Sequence, residues 1–217
     1  MNAAAASRDA RAEQALEVYR DDGPLARAIG AALGRGVPFP PALLLAAGAV
    51  ALFTLIAIEG GGASEVVVGL TLAWVVLTGG VAAGRPDADR LRWAVLPILR
   101  AVEYGSMLWL GAVAGGAGPA AVFAFLAVIT FRHYDLVYRL RYQGSPPPRW
   151  IADVAGGWDG RLVVAYVLLL VGALPAGLYV LAGVLAVLLV SESASSWRRF
   201  RGSGDAVRYD HEEAGAE

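Results

Sequence analysis

Nine ionisable side chains set the chemistry open to this chain: Arg100, Glu103, Arg132, His133, Asp135, Arg139, Asp159, Arg161 and Glu192. Most of them lie inside long apolar segments or at their edges, as in Leu99-Arg-Ala-Val-Glu-Tyr-Gly105 and Phe131-Arg-His-Tyr-Asp-Leu-Val-Tyr-Arg139. A charge within hydrocarbon is costly enough to count as a functional-site hypothesis by default. Arg100 and Glu103 are spaced i, i+3, and Arg132, Asp135 and Arg139 follow one another at three and four residues, so each set shares a helix face. Arginine grips phosphate with a two-pronged fork and cannot lose its charge. The nine residues therefore predict a cytoplasm-facing, arginine-lined cavity for an anionic headgroup or a nucleotide-linked precursor. The same spacing permits a different outcome, in which Arg100–Glu103, Arg132–Asp135 and Arg139–Glu192 neutralise one another and orient the helices.

Other chemistry has little to work with. Cysteine is absent, which excludes disulfides, thiolate metal sites and a cysteine nucleophile. His133 and His211 are the two histidines, and a lone histidine makes no metal centre. His133 and Asp135 are the one candidate acid–base pair, yet neighbouring positions on a helix point in different directions. No catalytic residue, metal or cofactor is expected.

The elements that must position these groups are membrane helices. The chain is 57% hydrophobic with a mean hydropathy of +0.55, too apolar for an ordinary soluble domain. Six hydrophobic segments stand out: Pro41–Ile58, Glu65–Gly84, Leu91–Gly116, Pro119–Leu140, Arg161–Leu174 and Ala176–Trp197. A span needs about 20 residues. The last two segments share one apolar stretch, broken at Gly172-Ala-Leu-Pro-Ala-Gly177, which reads as a tight helical hairpin. One long kinked helix, and five spans, is the competing reading.

Arginine placement chooses between them. The turns at Glu59–Glu65, Gly115–Pro119 and Leu174–Gly177 hold no basic residue. The alternate connections hold Arg85, Arg90 and Arg92, then Arg139, Arg141, Arg149 and Arg161; Arg198, Arg199, Arg201 and Arg208 follow the last span. The positive-inside rule then gives an all-α bundle of six transmembrane helices with both termini in the cytoplasm. At a rise of about 1.5 Å per residue, Arg100 lies about 12 Å and Glu103 about 16 Å from the inner boundary, with Arg132 at an overlapping depth. All 18 basic side chains are arginine, a bias of GC-rich bacterial coding that points to the bacterial inner membrane.

Residues 1–36 are expected to form a cytoplasmic or interfacial arm, 37–200 the spans, and 201–217 a disordered acidic tail. Asp22-Gly-Pro24 offers an acidic cap and a proline for a helix start. Leu25, Ile29 and Leu33 then make a stripe suited to a membrane surface. Trp93, Trp150, Trp158 and Trp197 fall at cytoplasmic interfaces, where indole prefers to sit. Gly80-x-x-x-Gly84 and Gly111-x-x-x-Gly115 permit close helix contact.

Asp22-Gly-Pro-Leu-Ala-Arg27 with Gly36 matches the start of the CDP-alcohol phosphatidyltransferase signature, Asp-Gly-x2-Ala-Arg-x8-Gly-x3-Asp-x3-Asp. Pro40 and Leu44 stand where its last two aspartates belong, and two-metal chemistry needs several converging carboxylates. This segment cannot supply them. In the third span, Leu99-Arg-Ala-Val-Glu-Tyr-Gly105 resembles the stretch after that family's last signature aspartate, with Leu99 and Val95 in place of the acids.

Asp21-Asp-Gly-Pro-Leu-Ala-Arg27, Leu96–Gly105, Arg132–Arg139, Pro147-Pro-Arg-Trp150 and Gly156-Gly-Trp-Asp-Gly-Arg161 together resemble an uncharacterised actinobacterial membrane domain, over residues 19–200. That domain is often the C-terminal part of longer proteins carrying nucleotidyltransferase and CDP-alcohol phosphatidyltransferase domains. The resemblance implies an accessory, non-catalytic role in phospholipid polar-headgroup synthesis. Its expected partners are membrane lipids, a phosphatidyltransferase and a second copy of the chain, with no nucleic acid. A small lipid or metabolite transporter or flippase is the alternative, and an atypical phosphatidyltransferase-like enzyme the next.

Overall fold

Helix boundaries fall where the sequence supplies proline, glycine and serine. A computed structural model describes residues 18–85, 90–144 and 146–202, and every regular element among them is helical. Helix α1 (Pro24–Leu33) and helix α2 (Pro41–Glu59) each carry proline in the first turn, where the missing N–H would have had no partner. Helix α3 (Glu65–Ala83) is capped by Ser64, whose hydroxyl accepts from the Val67 amide. Helix α4 (Arg92–Ala114) turns into α5 (Gly118–Tyr138) through Gly115 and Gly116, both at positive φ. A π-turn at Arg139–Gln143 extends α5. The short α6 (Arg149–Val154) precedes α7 (Gly157–Leu170), and α8 (Leu174–Gly202) ends the described chain.

Among the described residues, four helical stretches are long and apolar enough to cross a membrane: Pro41–Gly62, Glu65–Ala83, Gly118–Gln143 and Leu174–Gly202. The chain is thus an all-helical protein of membrane type. The third and fifth expected segments differ from these four for separate reasons. Helix α4 has 23 residues but interrupts its apolar surface with Arg92, Arg100 and Glu103. Helix α7 has 14 residues, or about 21 Å of helix against a hydrocarbon core of about 30 Å. The break at Gly172, with φ +68°, separates α7 from α8 as two helices that pack on each other.

Helix α4 lies at the centre of the bundle, against α2, α5 and α7, and touches α3 and α8 more lightly. Val95, Leu99, Val102, Met107 and Leu110 carry it into one core with its neighbours. Within this helix Glu103 is buried and Arg100 half-buried, which keeps these two ionisable groups against protein.

Helix α1 lies on α3 and α7. Leu25 and Leu33 of its apolar stripe stay exposed, while Ala26 and Gly30 face inward. Gly30 and Gly34 meet Gly80 and Gly84 of the expected contact motif: a Cβ on Gly30 would stand 2.6 Å from the Gly84 nitrogen and 2.8 Å from the Gly80 oxygen. Backbone atoms cannot yield as a side chain can. Gly30→Val should therefore destabilise the protein by about 1–3 kcal/mol through overpacking. Gly36→Ala is the control, since nothing lies within 4 Å of its Cβ position. Unfolding midpoints in mixed micelles compare the two. In the second motif Gly111 packs closely on Gly118, whereas Gly115, at φ +63°, serves the turn instead.

Trp93 and Trp150 are exposed, as interfacial anchors would be. Trp158 is a correction: it is fully buried, and its ring fills the space left by Gly79. Residues 1–17 of the N-terminal arm and the acidic tail from residue 203 lie outside the described residues.

Candidate functional site

The charged residues fall into two neighbouring clusters, and the organising member of the larger one is Asp21, which sequence reasoning left out. Asp21 precedes α1 with φ +56°, a left-handed conformation that aspartate tolerates better than most residues. Its buried carboxylate reaches between α5 and α7. Arg132 Nη2 donates to Asp21 Oδ1 at 2.6 Å, with Arg132 Nε 3.4 Å from Oδ2, and Arg161 Nη1 donates to Oδ2 at 2.9 Å. Burial alone would raise this carboxyl, but the Arg161 and Arg132 guanidiniums outweigh it and hold Asp21 well below the usual carboxylate range. His133 Nε2, 3.8 Å from Oδ2, is too distant for a hydrogen bond.

Glu103 completes the cluster from the buried face of α4. Its Oε1 accepts from Arg161 Nε at 2.9 Å and Nη2 at 2.5 Å, and its Oε2 accepts from Arg100 Nη1 at 2.5 Å. Arg100 Nη2 turns to the arm, donating to the Tyr19 carbonyl and to the Arg20 carbonyl at 3.1 Å. Three guanidiniums thus face two carboxylates, leaving one positive charge in excess. Arg132 Nη1 is buried with no hydrogen-bond partner among the described residues.

The second cluster ties α5 to α8. Arg139 donates to Asp135 Oδ2 from Nε at 2.7 Å and grips Glu192 with both terminal nitrogens, Nη1 at 3.0 Å. This is the bidentate fork expected of arginine and carboxylate. Ser193 Oγ donates to Asp135 Oδ1 at 2.5 Å. One guanidinium here meets two carboxylates, an excess of one negative charge. Arg132, Asp135 and Glu192 line the space between the clusters, a cavity of about 10 Å³, the room of a single water.

Two of the three pairings open to the sequence are formed, Arg100–Glu103 and Arg139–Glu192. Arg132 instead takes Asp21, and Asp135 takes Arg139. His133 Nδ1 lies 2.9 Å from the Tyr104 hydroxyl, which also accepts from Thr130. The other ring nitrogen, Nε2, faces Asp21 rather than Asp135.

Asp159 belongs to neither cluster. Expected at the mouth of a cavity, it is fully buried and caps α1 from 134 residues away. Its Oδ1 accepts from the Gly23 amide at 2.6 Å, and its Oδ2 from Leu25 and Ala26 at 2.9 and 3.0 Å. This replaces the local acidic cap expected of Asp22, which instead accepts from the Trp158 indole at 2.8 Å and from Arg20 Nε at 2.8 Å. Gly23 and Gly157 supply the close backbone approach this requires, Gly157 at φ +63°. The Trp158 amide donates to the Asp21 carbonyl at 3.0 Å, fixing the arm to α7.

The arrangement presents fixed guanidinium forks at one end of a membrane-type bundle. No three histidine, aspartate or glutamate side chains converge on a metal position among the described residues. No curated protein and no solved structure matches the chain. One family model does, over residues 10–216, and the chain belongs to that family of unknown function, DUF5941.

Proposed function

We propose that this protein spans the bacterial inner membrane six times, with both termini in the cytoplasm, and serves phospholipid polar-headgroup synthesis as a non-catalytic accessory. In this reading it holds a phosphate-bearing headgroup or nucleotide-linked precursor at the cytoplasmic end of the bundle, for transfer by a separate phosphatidyltransferase. The alternation of arginine-bearing and arginine-free connections supports the topology. The enclosure of α4 and α7 supports it too, because Arg100, Glu103, Asp159 and Arg161 are turned to other parts of the protein instead of lipid. The resemblance to domains joined to phosphatidyltransferases supports the pathway.

The observation that carries the binding reading is the Arg100–Arg132–Arg161 cluster. It has an excess positive charge, a spare Arg132 donor group, and an edge at Arg100, whose side chain keeps 19% of its exposure. Guanidinium forks in a site of low polarity favour phosphate. A catalytic reading has less support, because Asp135, the carboxylate expected beside His133, is engaged by Arg139 and Ser193.

Native mass spectrometry of protein released from mild detergent tests the proposal. The wild type should retain a phosphate-bearing molecule that Arg132→Gln loses while remaining folded. A wild type stripped of any phosphate-bearing species, or a variant that keeps it, would overturn the proposal.

A further inference from the structure

We propose that Tyr19–Asp21 is an intramolecular stand-in for a phosphate group, occupying the site formed by Arg100, Arg132 and Arg161 until a phosphate monoester displaces it. This rests on the headgroup-binding reading and adds the occupant, the charge class of the ligand and the regulation of the site.

Each of the three arginines gives donors to this stretch of three residues. Arg100 bonds the Tyr19 and Arg20 carbonyls, and Arg132 and Arg161 bond the two carboxylate oxygens of Asp21. Seen from the arginines, the arm presents an array of oxygens around a carboxylate, the pattern that a phosphate also offers. The remaining carboxylate, Glu103, is fixed on α4 and stays when the arm leaves. Without Asp21, three guanidiniums face Glu103 alone, an excess of two positive charges. A phosphate monoester carries about −1.5 to −2 at neutral pH, which matches that excess. The Arg132 Nη1 group, without a partner among the described residues, supplies a donor for the additional phosphate oxygen.

The local backbone is suited to release. Asp21 sits at φ +56°, in the left-handed region, which a non-glycine residue adopts at some cost even where aspartate tolerates it best,. Helix α1 does not depend on the arm for its first turn, because Asp159 caps it from α7 through Gly23, Leu25 and Ala26. Gly23, held by Asp159, therefore ends the fixed part, and the removable segment is the chain before it. Besides the arginine contacts, displacement must break the bond from the Trp158 amide to the Asp21 carbonyl and that from its indole to Asp22. Arg100 and His133, the partly exposed members of the cluster, form the edge through which a ligand arrives.

The test uses the full chain in phosphatidylcholine nanodiscs, with phosphatidic acid in the bilayer or inorganic phosphate in solution as probes. Asp21→Asn keeps the size of the side chain and removes its charge. It should bind phosphatidic acid about ten-fold or more tightly than the wild type, as expected when a competing closed state is removed. Adding Arg132→Gln should abolish the gain. In the wild type, hydrogen–deuterium exchange of residues 18–22 and of the Trp158 amide should rise when the probe binds, and this reading stands alone if Asp21→Asn fails to fold. An effect of inorganic phosphate equal to that of phosphatidic acid makes the ligand a soluble phosphate; an effect of the lipid alone makes it a headgroup. Equal binding by wild type and Asp21→Asn, with no rise in exchange, overturns the stand-in while leaving headgroup binding intact. Binding of neither probe to either protein overturns both.

Discussion

Arg161→Met should destabilise the protein by about 3–5 kcal/mol, the cost of leaving buried charges without their partner. Arg161 bridges Asp21 and Glu103 and also donates to the Ala155 carbonyl at 3.2 Å. Its removal leaves Glu103, 1% exposed, with Arg100 alone and Asp21 with Arg132 alone. Methionine restores volume but no charge. The loss should shrink only when the remaining members are replaced together, by Glu103→Leu, Asp21→Asn, Arg100→Met and Arg132→Met, since replacing a whole buried ion network with groups of similar size is often neutral. The contrast is Arg27, which meets Asp153 at 3.6 Å with side chains 55% and 65% exposed. Its removal should cost under about 1 kcal/mol. Denaturant titration in mixed micelles, followed by tryptophan fluorescence, measures both, and similar losses at the two positions would contradict the assignment.

Asp159→Ala is expected to cost about 2–5 kcal/mol, because buried N–H groups left without acceptors cost about 1–3 kcal/mol each. Three amides, of Gly23, Leu25 and Ala26, lose their partner at once. Alanine cannot accept a hydrogen bond, and the burial of this corner keeps water from replacing the carboxylate. Asp159→Asn keeps one acceptor and should lose about half as much. Hydrogen exchange adds a local readout: amides in the first turn of α1 should exchange faster in Asp159→Ala, while those of α8 remain protected. Uniform loss of protection would mean that Asp159 supports the bundle rather than the helix start.

The segments legible in the sequence are those governed by local pattern. Apolar runs and their proline and glycine breaks place the helices, including the division at Gly172. The Arg100–Glu103 pair was legible because both residues lie on one turn of one helix. The same logic failed for Arg132 and Asp135, equally spaced, because each found a better partner: Asp21 lies 111 residues away, and Arg139 one turn on. Helical spacing shows which side chains can meet within a helix and says nothing of what an incoming strand of chain brings. The Asp21-Asp22-Gly-Pro24 run did carry a signal. A helix start needs one acidic cap, and a pair of acids leaves at least one for another task; here Asp159 took the cap, freeing both. Trp158 was misplaced for a related reason. An indole next to glycines near a boundary reads as an interfacial anchor, whereas the void over Gly79 and the Asp22 acceptor both come from distant parts of the chain.

Whether the three arginines bind phosphate is read most directly from ligand-linked stability. Unfolding of the wild type in phosphatidylcholine nanodiscs is compared with unfolding in the same nanodiscs containing phosphatidic acid. At a lipid level about 100 times its dissociation constant, binding should stabilise the wild type by about 2.7 kcal/mol. Arg132→Gln should show no such gain. Equal stabilisation of both proteins, or none in the wild type, would contradict a phosphate site built on Arg100, Arg132 and Arg161.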